Sequence, residues 1–374
     1  MTFPPWGRTT TARQLARWVA QNAPQRIAGA VFVVTGGYGG IGLRCVWALS
    51  RYGAQVVVPA RDVAGARRAI GDWPGVQLQP MDLMDPDSIA RFVDWFTASH
   101  RSLDGLIGCA GIMAPPLRRD ARGHESQFST NHLGHFQLAV GLSGCLAASA
   151  VHPRLVLVSS RAQRAAGNLT GQARCGADGA LHAGDDAGQD GPAAGIHFDD
   201  PDWLLTPYQP MLAYAQSKTA NVLTAVEFDR RWRHQPVRAF AVHPGLVPGT
   251  ALGRHNPAPR LTRIAAGTRL GVAALNAGRR LAGQVHGPGD LFKTPGQAAG
   301  AVLWTALSPQ LDEQGGVYCE DCHIAPVVTD PHAPSGVLPW AVDPAKAQRL
   351  WLLSEQMIWG KAGANGSGIS EVEE

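Results

Sequence analysis

A tyrosine and a lysine four positions apart are the residues of this sequence best suited to proton chemistry. Tyr214 and Lys218 lie in a segment, 213–231, whose apolar spacing predicts a helix, so both side chains leave the same helix face. An ammonium beside a phenol favours the phenolate and lowers its pKa from about 10. The pair predicts a tyrosine that exchanges protons near neutral pH, although such pairs are also common on ordinary helix surfaces.

Two other polar residues could join this pair. Ser160 ends a predicted strand, 154–160, where its hydroxyl could hydrogen-bond a carbonyl or alkoxide oxygen. Asn131 lies on a long apolar segment, 128–146, that predicts a helix, and it could help hold Lys218 through its side chain, its backbone or a water. Each residue has an ordinary structural alternative. Their order along the chain, after a glycine-rich turn, favours a common site.

The glycine-rich turn follows a short apolar run, VFVVT at 31–35, that predicts a buried parallel strand. Five glycines come next, before a segment with helical spacing at 43–49; they are Gly36, Gly37, Gly39, Gly40 and Gly42. Glycines let the backbone approach a pyrophosphate, and the following helix N-terminus offers free N–H groups. Strand, turn and helix together predict a dinucleotide-binding unit.

Further strands are predicted at 55–62, 76–83, 103–111, 237–242 and 316–318, and further helices at 88–96, 261–285, 294–307 and 345–359. Strands that alternate with helices predict an α/β fold, here a Rossmann-type doubly wound parallel sheet with helices on both faces, in a single domain. In such sheets the site lies beyond the carboxyl ends of the strands.

The end of the second strand bears on the choice of cofactor. Arg61 suits the 2′-phosphate of NADP(H), whereas Asp62 would hydrogen-bond the 2′-hydroxyl of NAD(H). We expect NADP(H) and keep NAD(H) as the alternative, beside the plain reading of a solvated charged loop.

The chain divides into a central domain and extensions. Residues 1–26 form an N-terminal extension with a helix capped by Thr11, which places Leu15, Trp18 and Val19 on one face. The Rossmann domain is 27–330, with a flexible insertion at 167–195, rich in Gly, Ala and Asp, and a substrate-covering region at 246–293. A helical extension occupies 331–359 and a disordered tail 360–374.

Composition excludes several classes of protein. The net charge is +4 and no basic run carries interleaved aromatics, so nucleic-acid binding is not expected. No apolar run reaches about 18 residues and the N-terminus does not resemble a secretory signal, so we expect a cytoplasmic protein without a membrane span. Cys319 and Cys322 form a lone CxxC, which favours incidental cysteines over a zinc site, and we predict no metal.

Taken together, the motifs resemble those of the short-chain dehydrogenase/reductase family. They are TGGYGGIG at 35–42, Asp82-Leu83, Cys109-Ala110-Gly111, Asn131, Ser159-Ser160, Tyr214 with Lys218, and Pro244-Gly245. Within the family the chain is most similar to the retinol dehydrogenase-like group, which includes the WW-domain oxidoreductases. The stretches that carry this similarity are NHLGHF at 131–136, SRA at 160–162, IHFDD at 196–200, SKTANVL at 217–223 and GVYCEDC at 316–322.

The resemblance, which covers about 27–357 apart from the insertion, implies a role for each catalytic candidate. Tyr214 would donate or accept the proton, Lys218 would lower its pKa and bind the nicotinamide ribose, Ser160 rather than Ser159 would orient the substrate oxygen, and Asn131 would support a proton relay. Cys109 departs from the asparagine usual in the family. The cofactor would contact Thr35, Gly36, Tyr38, Gly40, Ile41, Gly42, Arg61, Asp82, Leu83, Cys109, Ala110, Gly111, Tyr214, Lys218, Pro244, Gly245, Val247 and Thr250.

The resemblance also implies an activity. We expect an oxidoreductase that uses NAD(P)(H) to interconvert a carbonyl and an alcohol on a lipophilic small molecule. The alternatives are a C=C reductase similar to protochlorophyllide reductases and a non-catalytic dinucleotide sensor. Family habit suggests a homo-oligomer. The 261–285 segment is expected to cover the substrate pocket, with weak membrane-surface association as the alternative, and His243 is expected to be structural.

Overall fold

The central element is an eight-stranded sheet. The computed structural model describes residues 2–168, 174–175, 181–182, 195–248, 252, 265, 267–285, 287 and 290–360. Its strands are β1 (Val31–Thr35), β2 (Gln55–Ala60), β3 (Val76–Pro80), β4 (Gly105–Gly108), β5 (Arg154–Val158), β6 (Arg174–Cys175), β7 (Leu181–His182), β8 (Arg238–His243), β9 (Val317–Glu320) and β10 (His323–Ile324).

The sheet has the order β10-β9-β8-β5-β4-β1-β2-β3, and β6 pairs separately with β7. Every pair in the large sheet is parallel except β9 with β10. Strand β1 lies between β2 and β4, so the direction of chain winding reverses there and a crevice opens at its carboxyl end. This confirms the predicted Rossmann-type α/β fold.

Helices cover both faces of the sheet. They are α1 (Ala12–Asn22), α2 (Gly40–Arg51), α3 (Val63–Ile70), α4 (Pro86–Ser99), α5 (Ser126–Phe128), α6 (Gly134–Gly141), α7 (Ser143–Ala147), α8 (Pro210–Trp232), α9 (Arg269–Leu281), α10 (Pro295–Leu307) and α11 (Pro344–Trp359). One core includes α1, α2 and α10 with their sheet face, and the opposite core includes α4, α6, α8 and α11.

The N-terminal helix is part of the first core. Thr11 forms the expected cap, as a capping box with Gln14. Leu15 and Val19 are fully buried, and α1 packs against α10 and α2. Gly300 on α10 allows this close approach, because a Cβ there would overlap the backbone of Thr10.

The long helix predicted at 128–146 is not continuous. A π-helical turn spans Ser129–Leu133, and helix α6 then ends at Gly141, where the Ser143 hydroxyl donates to the Val140 carbonyl at 2.8 Å. Such π turns often occur where a helix carries a functional residue. The apolar pattern could not show either irregularity, because both depend on contacts with other segments.

Other boundaries differ by a few residues. The third strand stops at Pro80, so Asp82 lies in the loop that follows it. The last strand predicted at 316–318 is β9, which continues into an antiparallel hairpin with β10. Helix α9 accounts for the described part of the helix predicted at 261–285. Most of the insertion at 167–195, the residue Thr250 and the tail from 361 lie outside the described residues.

Among the described helices, none is both long enough and apolar enough to cross a membrane. The last helix, α11, instead packs on α8, and a charged contact ties it to the loop before α5. His124 lies 2.8 Å through Nδ1 from the Asp202 carboxylate and 3.0 Å through Nε2 from the Met357 carbonyl oxygen. Both partners are acceptors, so the two contacts together require the doubly protonated imidazolium.

This geometry predicts pH-dependent stability. Burial opposes the charge of His124, but the Asp202 hydrogen bond and charge, the Met357 carbonyl and the Asp120 charge outweigh it, so the pKa is raised. Its stabilisation is complete below the unfolded pKa of about 6.5 and is lost as the pH rises through the higher folded pKa. We expect His124→Gln to lower the free energy of unfolding by about 1–2 kcal/mol at pH 6 and by much less at pH 9.

Urea unfolding of both proteins at the two pH values measures this difference. An equal loss of stability at pH 6 and pH 9 would show that the imidazole contributes only as a neutral hydrogen-bond partner.

Candidate active site

Tyr214 and Ser160 meet beyond the carboxyl end of β5. Helix α8 carries Tyr214, whose side chain is 4% exposed, and the Ser160 hydroxyl hydrogen-bonds its phenol. The Ser160 oxygen also accepts the Ala162 N–H at 3.1 Å, which fixes its position. The neighbouring Ser159 is buried and donates to the Lys218 carbonyl at 2.7 Å, so Ser160 is the serine of the pair that reaches the phenol.

The pKa of Tyr214 differs from the sequence-based expectation. Burial raises it to about 12, and the hydrogen bond from Ser160 opposes the rise. Lys218 does not offset the burial, since its Nζ donates to the Val158 carbonyl at 2.8 Å and lies 5.9 Å from the centre of the phenol ring. The expected lowering by Lys218 is therefore wrong for this state of the protein, in which the ammonium is directed at a backbone carbonyl.

Lys218 is itself affected by burial, which lowers its pKa to about 8. It remains mostly protonated at neutral pH. A buried ammonium keeps its charge only with good hydrogen-bond partners, and the Val158 carbonyl provides one.

Asn131 is placed by the π turn and is fully buried. Its side-chain amide pairs with the backbone of Ile112 in both directions, at 2.9 Å and 3.0 Å, and donates to Ser217 Oγ at 2.9 Å. Ser217 directly precedes Lys218. Asn131 therefore joins the segment after β4 to the helix that carries Tyr214 and Lys218, and its described contacts do not include the ammonium.

Sequence reasoning missed a network under the glycine turn. Thr35 is 1% exposed, and its hydroxyl accepts the N–H groups of Cys109 and Ala110 and lies 2.8 Å from His135 Nε2. His135 Nδ1 contacts the Asn131 carbonyl at 3.0 Å, so Nδ1 carries the proton. Burial lowers the pKa of His135 to about 4, which keeps it neutral. In the sequence, the four-residue spacing of Asn131 and His135 on a predicted helix could have indicated their contact.

The glycine turn has the form of a phosphate cradle. A Cβ on Gly36 would lie 2.9 Å from the Ala110 Cα, and one on Gly42 would overlap the Gly36 carbonyl, so both positions require glycine. Helix α2 begins after Gly39 without a side-chain cap, which leaves N–H groups of its first turn available for an anion. These features fit a dinucleotide pyrophosphate.

Cys109 occupies the position where the family usually has asparagine. Its sulfur accepts a hydrogen bond from the Gly42 N–H, and burial raises its pKa to about 11. The thiol is therefore neutral and links the segment after β4 to the start of α2. The segment after β4 is thus hydrogen-bonded through the Cys109 sulfur and the Thr35 hydroxyl.

The remaining cofactor candidates lie around this crevice or nearby. Gly111 lies against Asn131 and Lys218, and Gly245 packs on Lys293. The Asp82 carboxylate accepts the Met84 N–H at 3.0 Å, and Leu83 packs under Gly134. The other described candidates are accessible in part, apart from Pro244, which is buried; they are Tyr38, Gly40, Ile41, Ala110 and Val247.

Arg61 and Asp62, the two residues considered for binding the adenosine ribose of the cofactor, differ in their contacts. Asp62 is the N-cap of α3, and its carboxylate accepts the Gly65 N–H at 2.8 Å. Arg61 is exposed and has no ion pair with any described residue. The Asp62 carboxylate therefore caps α3, whereas the Arg61 guanidinium is available to bind a ligand.

Three other residues noted in the sequence, Cys319, Cys322 and His243, are buried in the fold. Cys319 and Cys322 are buried at the β9–β10 hairpin, and burial raises the pKa of each thiol to about 12. No group of three or more metal-ligating side chains occurs among the described residues. His243 is buried below the Pro244-Gly245 turn, and burial lowers its pKa well below the ordinary value.

Comparisons with known proteins agree with this geometry. The family described as short chain dehydrogenase matches residues 30–171. The chain is 34% identical over 332 residues to a probable oxidoreductase of Streptomyces lividans. The alignment covers 87% of this chain and 96% of the relative. It is 30% identical over 354 residues to human retinol dehydrogenase 14, covering 90% of this chain and 88% of the relative. The chain belongs to the short-chain dehydrogenase family, in its retinol dehydrogenase-like group.

Among solved structures, an uncharacterized protein from Mycobacterium paratuberculosis matches with a TM-score of 0.59 at 28% identity, covering 89% of this chain and 94% of the other. The family assignment makes this protein an oxidoreductase, and short-chain dehydrogenases use NAD(P)(H).

Proposed function

We propose that the protein is an NADP(H)-dependent reductase that converts a carbonyl group of a lipophilic small molecule into an alcohol. The observation that carries this proposal is the hydrogen bond between the buried Tyr214 phenol and the Ser160 hydroxyl, next to Lys218 and the glycine cradle. Two hydroxyl groups that meet in a buried crevice can hold a carbonyl oxygen and supply a proton to it.

Each residue then has a separate task. The glycine cradle would hold the cofactor, which would supply a hydride for the carbonyl carbon. Tyr214 donates its proton to the oxygen, which would otherwise become an alkoxide, and Ser160 hydrogen-bonds the same oxygen. Because burial raises the Tyr214 pKa to about 12, the phenol is protonated at neutral pH and carries the proton that reduction of a carbonyl consumes.

Lys218 and Asn131 support this centre. Lys218 supplies a positive charge beside Tyr214, and it is the candidate to bind the nicotinamide ribose. Asn131 positions the Ser217–Lys218 segment through its bond to Ser217. The Thr35–His135 network holds the segment after β4 close to the cradle.

The preference for NADP(H) rests on Arg61, because Asp62 is occupied as a helix cap. A guanidinium pairs well with a 2′-phosphate. The lipophilic substrate class rests on similarity to relatives named retinol dehydrogenase. A cytoplasmic location and a homo-oligomeric state belong to this proposal as family expectations.

The first test is a binding and turnover experiment with purified protein. We expect NADPH to bind at least about tenfold more tightly than NADH, as followed by nicotinamide fluorescence, because one charge-assisted contact to phosphate contributes about 1.5–3 kcal/mol. Arg61→Ala should remove this preference, whereas Arg67→Ala, an exposed arginine on α3, should retain it. NADPH absorbance should then fall with lipophilic aldehydes or ketones.

Other results would overturn parts of the proposal. Turnover confined to activated C=C bonds would identify a double-bond reductase. Tight NADPH binding without turnover on either class would favour a dinucleotide sensor. Equal affinity for the two cofactors would remove the role of Arg61.

A further inference from the structure

Helix α9 lies with its apolar side toward solvent. Leu270 and Leu281 are 83% and 91% exposed, the largest exposed fractions among the exposed large hydrophobic side chains of the described residues. Ala273, Ala274 and Ala277 are also exposed. At about 100° per residue these five positions fall within an arc of about 100°, so they form one continuous apolar stripe, here called the α9 stripe.

The opposite side of α9 contacts the protein and carries apolar and polar side chains: Val272 is buried there beside Arg279. Arg279 is buried, stacks on Phe292 at 4.4 Å and donates to the Asp290 carbonyl at 3.0 Å. Asn276 exchanges two hydrogen bonds with the Phe292 backbone. These contacts fix the rotation of the helix, so the α9 stripe cannot turn inward without breaking them.

The charged residues of α9 are all basic. Arg269 and Arg280 are exposed and follow one edge of the stripe. The helix contains three arginines and neither aspartate nor glutamate. An apolar helix face bordered by arginines complements a surface that is anionic outside and apolar beneath.

A basic cavity lies at the start of the same helix. Its volume is about 300 Å³, and its lining includes Arg13, Arg44 and Arg269 with Trp47 and no acidic residue. None of the four catalytic candidates lines it. This cavity adds positive charge where α9 begins and has room for a phosphate-bearing head group.

We propose that the α9 stripe is a docking surface for an anionic lipid bilayer. The leucines insert among the upper acyl chains, and the arginines pair with lipid phosphates. This proposal develops the alternative given for this segment, weak association with a membrane surface, and the covering of the substrate pocket by residues 246–293 stays a prediction. The bilayer is also the phase in which a lipophilic substrate dissolves. That link rests on the proposed function, whereas lipid binding does not.

The test measures binding of the full chain to vesicles without any turnover. Sucrose-loaded vesicles of phosphatidylcholine, with or without 30 mol% (about one lipid in three) phosphatidylglycerol, are sedimented with the protein at low salt. We expect the partition coefficient to be at least about tenfold higher on the anionic vesicles. The double variant Leu270→Gln/Leu281→Gln should lose at least about tenfold of that binding.

The matched control is Leu204→Gln/Leu205→Gln, which changes two leucines that are 71% and 82% exposed on a different loop. It should bind vesicles as the unchanged protein does. Because all four side chains are exposed, neither variant should unfold, and a thermal melt checks this. The proposal would be overturned if the protein did not bind anionic vesicles, or if it bound neutral vesicles equally well. It would also be overturned if both double variants lost binding to the same extent. So would dimerisation without lipid that only the α9 variant abolishes.

Discussion

Replacing Tyr214 by phenylalanine is expected to reduce carbonyl turnover by about 10²–10⁴-fold while NADPH binding stays within a few-fold of the original. The change removes one hydroxyl group from a buried crevice and leaves the ring in place. Without it, the substrate oxygen retains the Ser160 hydroxyl but loses the proton donor. Steady-state turnover and a fluorescence titration of NADPH, measured on the same preparation, separate these two effects.

The control for this variant is Tyr52→Phe, which removes a phenol hydroxyl at the end of α2, outside the site, and should leave turnover unchanged. A Tyr214→Phe enzyme that retains full turnover would contradict the proposed proton donor. A variant that also loses NADPH binding would show that the residue acts mainly in holding the cofactor.

The second large effect concerns stability. Asp312 lies between two buried arginines: its Oδ1 is 2.7 Å from Arg154, which is 1% exposed, and its Oδ2 contacts Arg26, which is 6% exposed. Burial lowers the pKa of Arg154 to about 10, and the Asp312 charge acts against this shift. Asp312→Asn is expected to lower the free energy of unfolding by about 3–5 kcal/mol, because two buried cations lose their counter-charge.

An exposed ion pair provides the matched control. Asp199 and Arg349 are 3.2 Å apart but 88% and 60% exposed. Asp199→Asn should cost less than about 1 kcal/mol, since water and salt screen such pairs. Urea unfolding of the three proteins compares the two costs. Similar losses in both variants would show that burial does not strengthen the Asp312 contacts.

The sequence predicted those features that depend on local pattern. The alternation of apolar strands with helices was sufficient to predict the parallel sheet. The glycine spacing was sufficient to predict the phosphate cradle at Gly36 and Gly42. Parallel strands end at a common edge, so Ser160 was predicted to lie near the glycine turn, whereas the resemblance to the family placed Tyr214 beside it.

Features that depend on packing were not predictable. The spacing of Tyr214 and Lys218 shows that they share a helix face, but the Val158 carbonyl that takes the ammonium belongs to another element. The contacts of Asn131 arise from a π turn that no apolar period reveals. The amphipathic pattern of α9 was visible, yet only the bonds of Arg279 and Asn276 show which face is turned inward.

The pairing of the first helix with one of the last has a consequence for biosynthesis. Helix α1 packs on α10, and Arg26 pairs with Asp312, so the N-terminal segment, apart from its contact with α2, acquires its partners only when more than three quarters of the chain has been made. At about 5–20 residues per second, the ribosome takes tens of seconds to reach that point. During this time the apolar face of α1 has to be shielded by transient contacts or by a chaperone.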